Sequence, residues 1–307
     1  MQHTNALKTS KNCIAHYTSA ENALNIIKNK QIWLRNAAVM NDHSEIQHGR
    51  SCLDNVLENQ SGKRFFDAIE GVQPGARKYL KDRYSEMRVS HREDVFMASL
   101  CEHDPADSLG KLSMWRAYGG ATGGIALILA PYVVTHTTAL NLGLNASPVL
   151  YGGIHELSRE IDSFSKRIEI NNKFLKSVNR RDFLEYIEAA INFAMLSIKH
   201  KGFEEEDEWR ILFLPKLYGN DIIKSSVECV RGVPQMVYKV PFGYEGKMSD
   251  NNGLSLELNH CLKKVIIGPC LYPETVRRAF ENQLTILGFE QAHKIISVSE
   301  IPLRQWG

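Results

Sequence analysis

Apolar and polar positions alternate along this chain in short blocks, and the blocks change period. Asn12 to Thr18 reads as a short strand ending in polar residues. Ser19 then stands where a helix N-cap belongs, with Asn22 in place of the usual capping-box Glu. Ala20, Leu24 and Ile27 recur at i, i+4, i+7, one face of a short helix. Gln31–Leu34 reads as a second strand, and Asn36 to Glu45 as a loop entering another helix. Residues 60–93 are charged and weakly periodic and predict exposed helices. Val95–Cys101 is a strand, Asp104–Ser108 a turn around Pro105, and Leu109–Tyr118 a helix. Glycines 119, 120, 123 and 124 separate that helix from the apolar strand Ile125–Leu129.

Leu157, Ile161, Phe164 and Ile168 step by four, three and four, and Leu184, Ile187, Ile191, Ala194 and Ile198 by three, four, three and four, giving two amphipathic helices. Trp209–Leu214, Met236–Val240, Ser255–Leu258, Val265–Ile267 and Ile295–Val298 read as strands. Pro273 opens a helix that Gly288 closes. Short strands with helices before, between and after them predict an α+β fold. The expectation is one domain over residues 1–307, with a charged helical insertion at about 50–93 and a second at about 155–200.

Composition narrows the class. The chain has 307 residues, 43% hydrophobic and 23% charged, with a net charge of +2. That excludes a polycation and a disordered chain, while a local basic groove remains open. No apolar run reaches the length of a membrane span, and no secretory leader is read at the start. Six scattered cysteines form no C-x-x-C pair or zinc spacing, so reduced thiols in the cytoplasm are expected, with no membrane partner. His43 and His48, five apart, do not converge on a helix, and no metal is expected.

Three polar clusters stand at strand edges. His16-Tyr17-Thr18 offers hydrogen-bonding groups to a ligand hydroxyl. Trp115-Arg116-Ala117-Tyr118 sets two aromatics around a cation, suited to a planar ring and a phosphate; Trp115 and Tyr118 are i, i+3, so one can fill a core while the other faces a cleft, and Trp115, the larger and more apolar, is the core choice. Glu204 to Glu208 is an acidic run that enters a strand. There Glu208 and Arg210 share one face, while Trp209, Ile211 and Phe213 share the other. Glu206 joins Glu208 if the strand starts early, whereas Glu204 and Glu205 read as solvated.

Four stretches together resemble a widespread bacterial family of unknown-function domains. They are His16-Tyr17-Thr18-Ser19 with Ile32-Trp33-Leu34, Asn41-Asp42 and Glu45; Ser99-Leu100-Cys101-Glu102 with Met114 to Tyr118; Glu206 to Arg210; and Val265 to Pro269 with a closing Ser299 to Arg304. The order of an early strand with His and Thr, a middle aromatic and a late strand-borne Glu is similar to the ADP-ribosyltransferase superfamily. That resemblance implies a split, mostly antiparallel sheet with packed helices, and NAD as co-substrate. It implies ribose contacts for His16, Tyr17 and Thr18, stacking on nicotinamide by Tyr118 or Trp115, and pyrophosphate pairing by Arg35 or Arg116. It gives the catalytic carboxylates to Glu208 and Glu206. It implies a toxin or phage-defence effector that modifies nucleic acid or protein, with an antitoxin or chaperone partner. Lys8, Lys11, Lys28, Lys30 and Arg35 around the first strand tilt the acceptor toward nucleic acid. The other readings are a non-catalytic nucleotide- or partner-binding module, and an NAD glycohydrolase.

Overall fold

The computed structural model describes residues 13–39, 43–90, 95–119, 123–134, 142–215, 221–230, 232–243 and 256–303. The expected Asn41-Asp42 loop, the lysines at 8 and 11, Gly120 and Arg304 lie outside them. In chain order the elements are β1 (Cys13–Ser19), α1 (Ala20–Asn29), β2 (Gln31–Asn36), α2 (His43–Glu58), α3 (Gln60–Val72), α4 (Ala76–Ser90), β3 (Phe96–His103), α5 (Leu112–Tyr118) and β4 (Gly124–Leu129). Then follow β5 (Asn145–Pro148), β6 (Leu150–Tyr151), α6 (Ile154–Ile170), α7 (Asn172–Leu175), α8 (Arg180–Leu196), β7 (Ile198–Lys199), β8 (Glu208–Phe213), β9 (Lys224–Val230), β10 (Val233–Pro241), α9 (Leu258–Cys261), β11 (Leu262–Ile267), α10 (Pro273–Ile286) and β12 (Ile296–Val298).

The fold is α+β, with a mostly antiparallel sheet and helices packed on both faces. The strand order is β12-β11-β4-β1-β3-β2-β10-β9, with β8 joining β3 to β5. Of these pairs only β11 and β12 are parallel. Strand β3 has three partners. β8 runs along Phe96 to Cys101, so β1 and β2 share the other edge. β1 holds Cys101 to His103, and β2 holds Phe96 and Met97. Between those two contacts β1 and β2 diverge and the sheet opens.

Period-two patterning sends alternate residues to two different cores. Ile14, Leu34, Phe96, Leu100, Trp209 and Phe213 face α1 and α10, with Ile27, Phe280 and Leu284. On the opposite face, Met97 and Leu212 pack against a helical core built from α2, α3, α4, α6 and α8. A smaller cluster on that same face joins Ala15, Tyr17 and Cys101 to Met114 and Trp115 of α5.

Helix ends follow local chemistry. Ser19 accepts a hydrogen bond from Asn22 N–H and starts α1, and Pro273 opens α10. The buried stripe of α1 is Ala23, Ile26 and Ile27, with Ala20 and Leu24 at its margin. The helices over residues 60–86, expected to be exposed, expose one face and bury the other. Phe65, Phe66, Ile69, Val72, Ala76 and Leu80 are buried against α6 and α8. Their surface charges blurred a periodicity that tertiary packing makes plain. The strand expected at Ser255–Leu258 is replaced, over its described part, by the helical turn of α9, which buries Leu258 and Cys261. Strands β5, β6, β7 and β9 were not anticipated; β9 alternates exposed and half-buried residues with little apolar signal.

Candidate functional site

The opening between β1 and β2 has His16 at its apex. β1 leaves the β3 ladder after Ala15, and the imidazole takes over where backbone pairing stops. His16 Nδ1 lies 3.1 Å from the Ser99 carbonyl oxygen. A carbonyl only accepts, so the proton sits on Nδ1, and Nε2 presents a lone pair. Burial lowers the ring's pKa, against a smaller upward pull from the Ser99 hydrogen bond. The imidazole is therefore neutral at neutral pH.

Ser99 also looks the other way. Its hydroxyl donates to Glu208 Oε1 at 2.6 Å. Glu208 heads β8, and its own N–H donates to the Tyr151 hydroxyl at 2.7 Å. One residue on the central strand thus connects the β1 histidine to the β8 carboxylate.

Glu208 belongs to a network of three carboxylates and two cations. Lys199 Nζ stands 2.6 Å from Glu45, 2.8 Å from Glu206 and 3.1 Å from Glu208. Arg210 grips Glu208 with two hydrogen bonds, Nε at 2.9 Å and Nη2 at 3.1 Å. It also pairs with Glu45 and donates to the Leu196 carbonyl at 2.6 Å. Glu45, Lys199, Glu208 and Arg210 are buried, whereas the Glu206 side chain is 21% exposed. Burial pushes the Glu208 carboxyl up, but Arg210, Lys199 and the Ser99 hydroxyl outweigh it and hold the group below the ordinary carboxylate range. For Lys199, burial pulls down and the surrounding carboxylates pull up more strongly, so its ammonium persists. Beside the network lies a cavity of about 10 Å³ lined by Glu45, Met97, Ser99 and Arg210, room for one water. A larger groove of about 620 Å³ lies away from it, between α2, α3 and α4, lined by Phe66, Lys81 and Tyr84.

Glu206 does not share a strand face with Glu208, because β8 starts at Glu208. Asp207 between them sits at φ 45°, the left-handed region, a conformation that costs about 1–3 kcal/mol for a non-glycine residue. Lys111 holds the turn, donating to the carbonyls of Glu205 (3.0 Å) and Glu206 (3.1 Å) and pairing with Asp207 at 2.6 Å. The two carboxylates meet at Lys199 instead. Glu204 and Glu205 are exposed.

The aromatic cluster divides. Trp115 is a core residue, 2% exposed. Its indole N–H donates to the Leu109 carbonyl at 2.8 Å, and its ring meets Tyr17 edge-on at 4.9 Å. A Cβ at Gly110 or at Gly268 would sit 2.6 Å from the ring; with Gly124, these glycines make room for Trp115 rather than for a ligand. Tyr17 is buried too, and its hydroxyl accepts from Lys111 N–H at 3.0 Å. Trp115 thus takes the core place chosen for it, which leaves stacking to Tyr118, and Tyr17, expected at the ribose, is packed against Trp115 here. Tyr118 is half-buried at the edge of this cluster, and Arg116 is exposed. Thr18 is buried; it shares the β1 face of Ile14 and His16 by strand alternation. Arg35 is turned toward the Gln235 side chain (3.4 Å) and the Val39 carbonyl (3.3 Å), so it does not extend the exposed Lys28 and Lys30. Trp115→Ala should cost about 3–5 kcal/mol of stability, read by denaturant unfolding. A loss under 1 kcal/mol would return Trp115 to the ligand side.

Sequence reasoning missed Ser99, Lys199 and Glu45 as site residues. Each is far from Glu208 in the chain or lies in another element, so only the pairing of β3 with β8 and the packing of α2 bring them together.

Residues 114–211 match the model of a family described as "Protein of unknown function (DUF2971)". The match covers about a third of the chain. It runs from α5 through α8 to β8, and so contains Trp115, Tyr118, Lys199, Glu206, Glu208 and Arg210. His16, Glu45 and Ser99 reach the DUF2971 span only through the sheet and α2. No curated protein and no solved structure matches the chain. Among the described residues no helix is long and apolar enough to cross a membrane.

Proposed function

We propose that the protein is an NAD-dependent ADP-ribosyltransferase, with the nicotinamide ribose bound where β1 and β2 diverge. The observation that carries this reading is the link from His16 through Ser99 to Glu208, across three adjacent strands at the point where the sheet opens. The neutral His16 accepts at Nε2 from a ribose hydroxyl. Tyr118, the half-buried aromatic of the cluster, takes the nicotinamide ring, and Arg116 or Arg35 the pyrophosphate. Breaking the C1′–nicotinamide bond sends its electron pair to the pyridinium nitrogen and leaves positive charge on the sugar. Glu208, ionised and fixed by Arg210 and Ser99, stabilises that charge where it develops. An acceptor oxygen or nitrogen then bonds to C1′, and its proton passes to solvent or to Glu206 at the rim. The split, mostly antiparallel sheet of an ADP-ribosyltransferase-like fold is part of the same proposal.

Full ion-pairing of Glu208 favours a second reading, a binding module in which the network is purely structural. Two measurements separate them. NAD at millimolar concentration should raise the thermal midpoint, because a ligand of the native state stabilises it by mass action, and His16→Ala should shrink the shift. Labelled NAD with total nucleic acid or lysate should transfer its label. An unchanged midpoint in folded protein would remove NAD from the account; a shift without transfer would leave the module.

A further inference from the structure

The helical turn that joins α6 to α8 concentrates positive charge. Six cations stand between Lys166 and Arg181, against a single acid, Glu169. The whole chain carries +2, so the remainder is net negative. Glu169 is itself neutralised by Arg64, which holds both carboxylate oxygens at 2.9 and 2.7 Å. Arg180 reaches the Pro74 carbonyl at 2.6 Å, which fixes the turn against the α3–α4 connection. Asp182 and Glu185 follow on α8, the second paired with Arg181 at 2.8 Å. Lys173 and Lys176, one helical turn apart on and just after α7, make no ion pair among the described residues and are exposed.

The same turn exposes apolar groups. Phe174, between the two lysines, is 68% exposed, and Ile170 at the end of α6 is 77% exposed. An aromatic ring held in water between unpaired cations is a stacking surface with phosphate partners beside it.

We infer that this turn is a binding surface for single-stranded nucleic acid, with a base on Phe174 and phosphates on Lys173, Lys176 and Arg180. A single strand is specified because only an unpaired base offers its face to a ring. A lipid surface fits less well: one ring and one aliphatic side chain do not make the apolar stripe of an interfacial helix. The 17 residues of α8 place the turn about 25 Å from the Leu196 end that Arg210 contacts. That span is about seven nucleotides at 3.4 Å each, so a strand held here extends along the helical core toward the carboxylate network. The surface needs no NAD, and its test stands apart from the transferase reading.

The full-length protein is titrated into a fluorescein-labelled oligouridylate and followed by anisotropy at several salt concentrations. Saturable binding that weakens with salt is expected. Each phosphate contact on a single strand contributes about −0.7 to the log–log salt slope, so Lys173→Gln with Lys176→Gln should flatten it by about 1.4 and weaken binding about tenfold. Phe174→Ala should weaken binding at least about fivefold with the slope unchanged. All three positions are solvent-facing, so thermal midpoints should match the parent and exclude misfolding. No binding by the parent protein, wild-type affinity in both variants, or capture by phosphatidylserine vesicles in preference to the oligonucleotide would each overturn the assignment.

Discussion

Arg210→Met will lower stability by about 3–5 kcal/mol, the usual cost of removing one partner from a buried ion pair. The guanidinium neutralises Glu208 and Glu45 together and satisfies the Leu196 carbonyl. Methionine fills much of the space but leaves two buried carboxylates to Lys199 alone. The loss should be read by urea unfolding at neutral pH and compared with pH 4. Glu208 titrates below its unfolded value in the native state, so its share of the stability is complete above the unfolded carboxylate pKa of about 4.3 and disappears as pH falls through the native one. The native preference for neutral His16 acts in the same direction, starting near its unfolded pKa of about 6.5. Wild type and Arg210→Met should therefore converge as pH falls. A cost under 1 kcal/mol at pH 7, or a gap that widens in acid, would show that the network does not hold the helical core to the sheet.

Glu208→Gln will reduce label transfer by about 10²–10³, the typical effect of losing one electrostatic group that acts on transition-state charge. The amide keeps the shape, and its oxygen still accepts from Ser99 and from Arg210 Nε, while its NH2 replaces the oxygen that accepted from Lys199 and Arg210 Nη2. The variant leaves two carboxylates facing two cations, so the fold should tolerate it. NAD should still shift the melting curve, because the lost interaction appears only as the sugar becomes cationic. Glu204→Gln and Glu205→Gln should be silent, since both face solvent. If Glu206→Gln abolishes transfer while Glu208→Gln does not, the acting carboxylate is the one at the rim. If neither matters, the network is a structural device and the binding-module reading stands.

Position along the chain was enough to read much of this protein. Strand β8 and its two faces follow from the alternation of Glu208 to Phe213, because a period of two fixes which side chains share a side. The N-cap at Ser19, the proline start of α10 and the stripes of α6 and α8 are likewise local, set by interactions within a turn or two. The partition of the aromatic cluster was legible: i, i+3 spacing separates Trp115 from Tyr118, and size and apolarity point to Trp115 as the core residue, as it is; what only the tertiary structure shows is that Gly110 and Gly268 pack on the indole.

What only the tertiary structure decided has one physical cause: contacts between residues remote in the chain leave no period behind. Ser99 joins His16 to Glu208 because β1 and β2 share one edge of β3 and part company there. Lys199 and Glu45 reach Glu208 because α2 and β7 fold onto the face that β8 turns away from its apolar core. Glu206 would have joined Glu208 on a strand face had the strand started early; a left-handed Asp207, held by Lys111, makes it start only at Glu208. The buried charges of the network look, in the sequence, like any polar residues. Their meaning comes from the low-dielectric setting that packing creates around them.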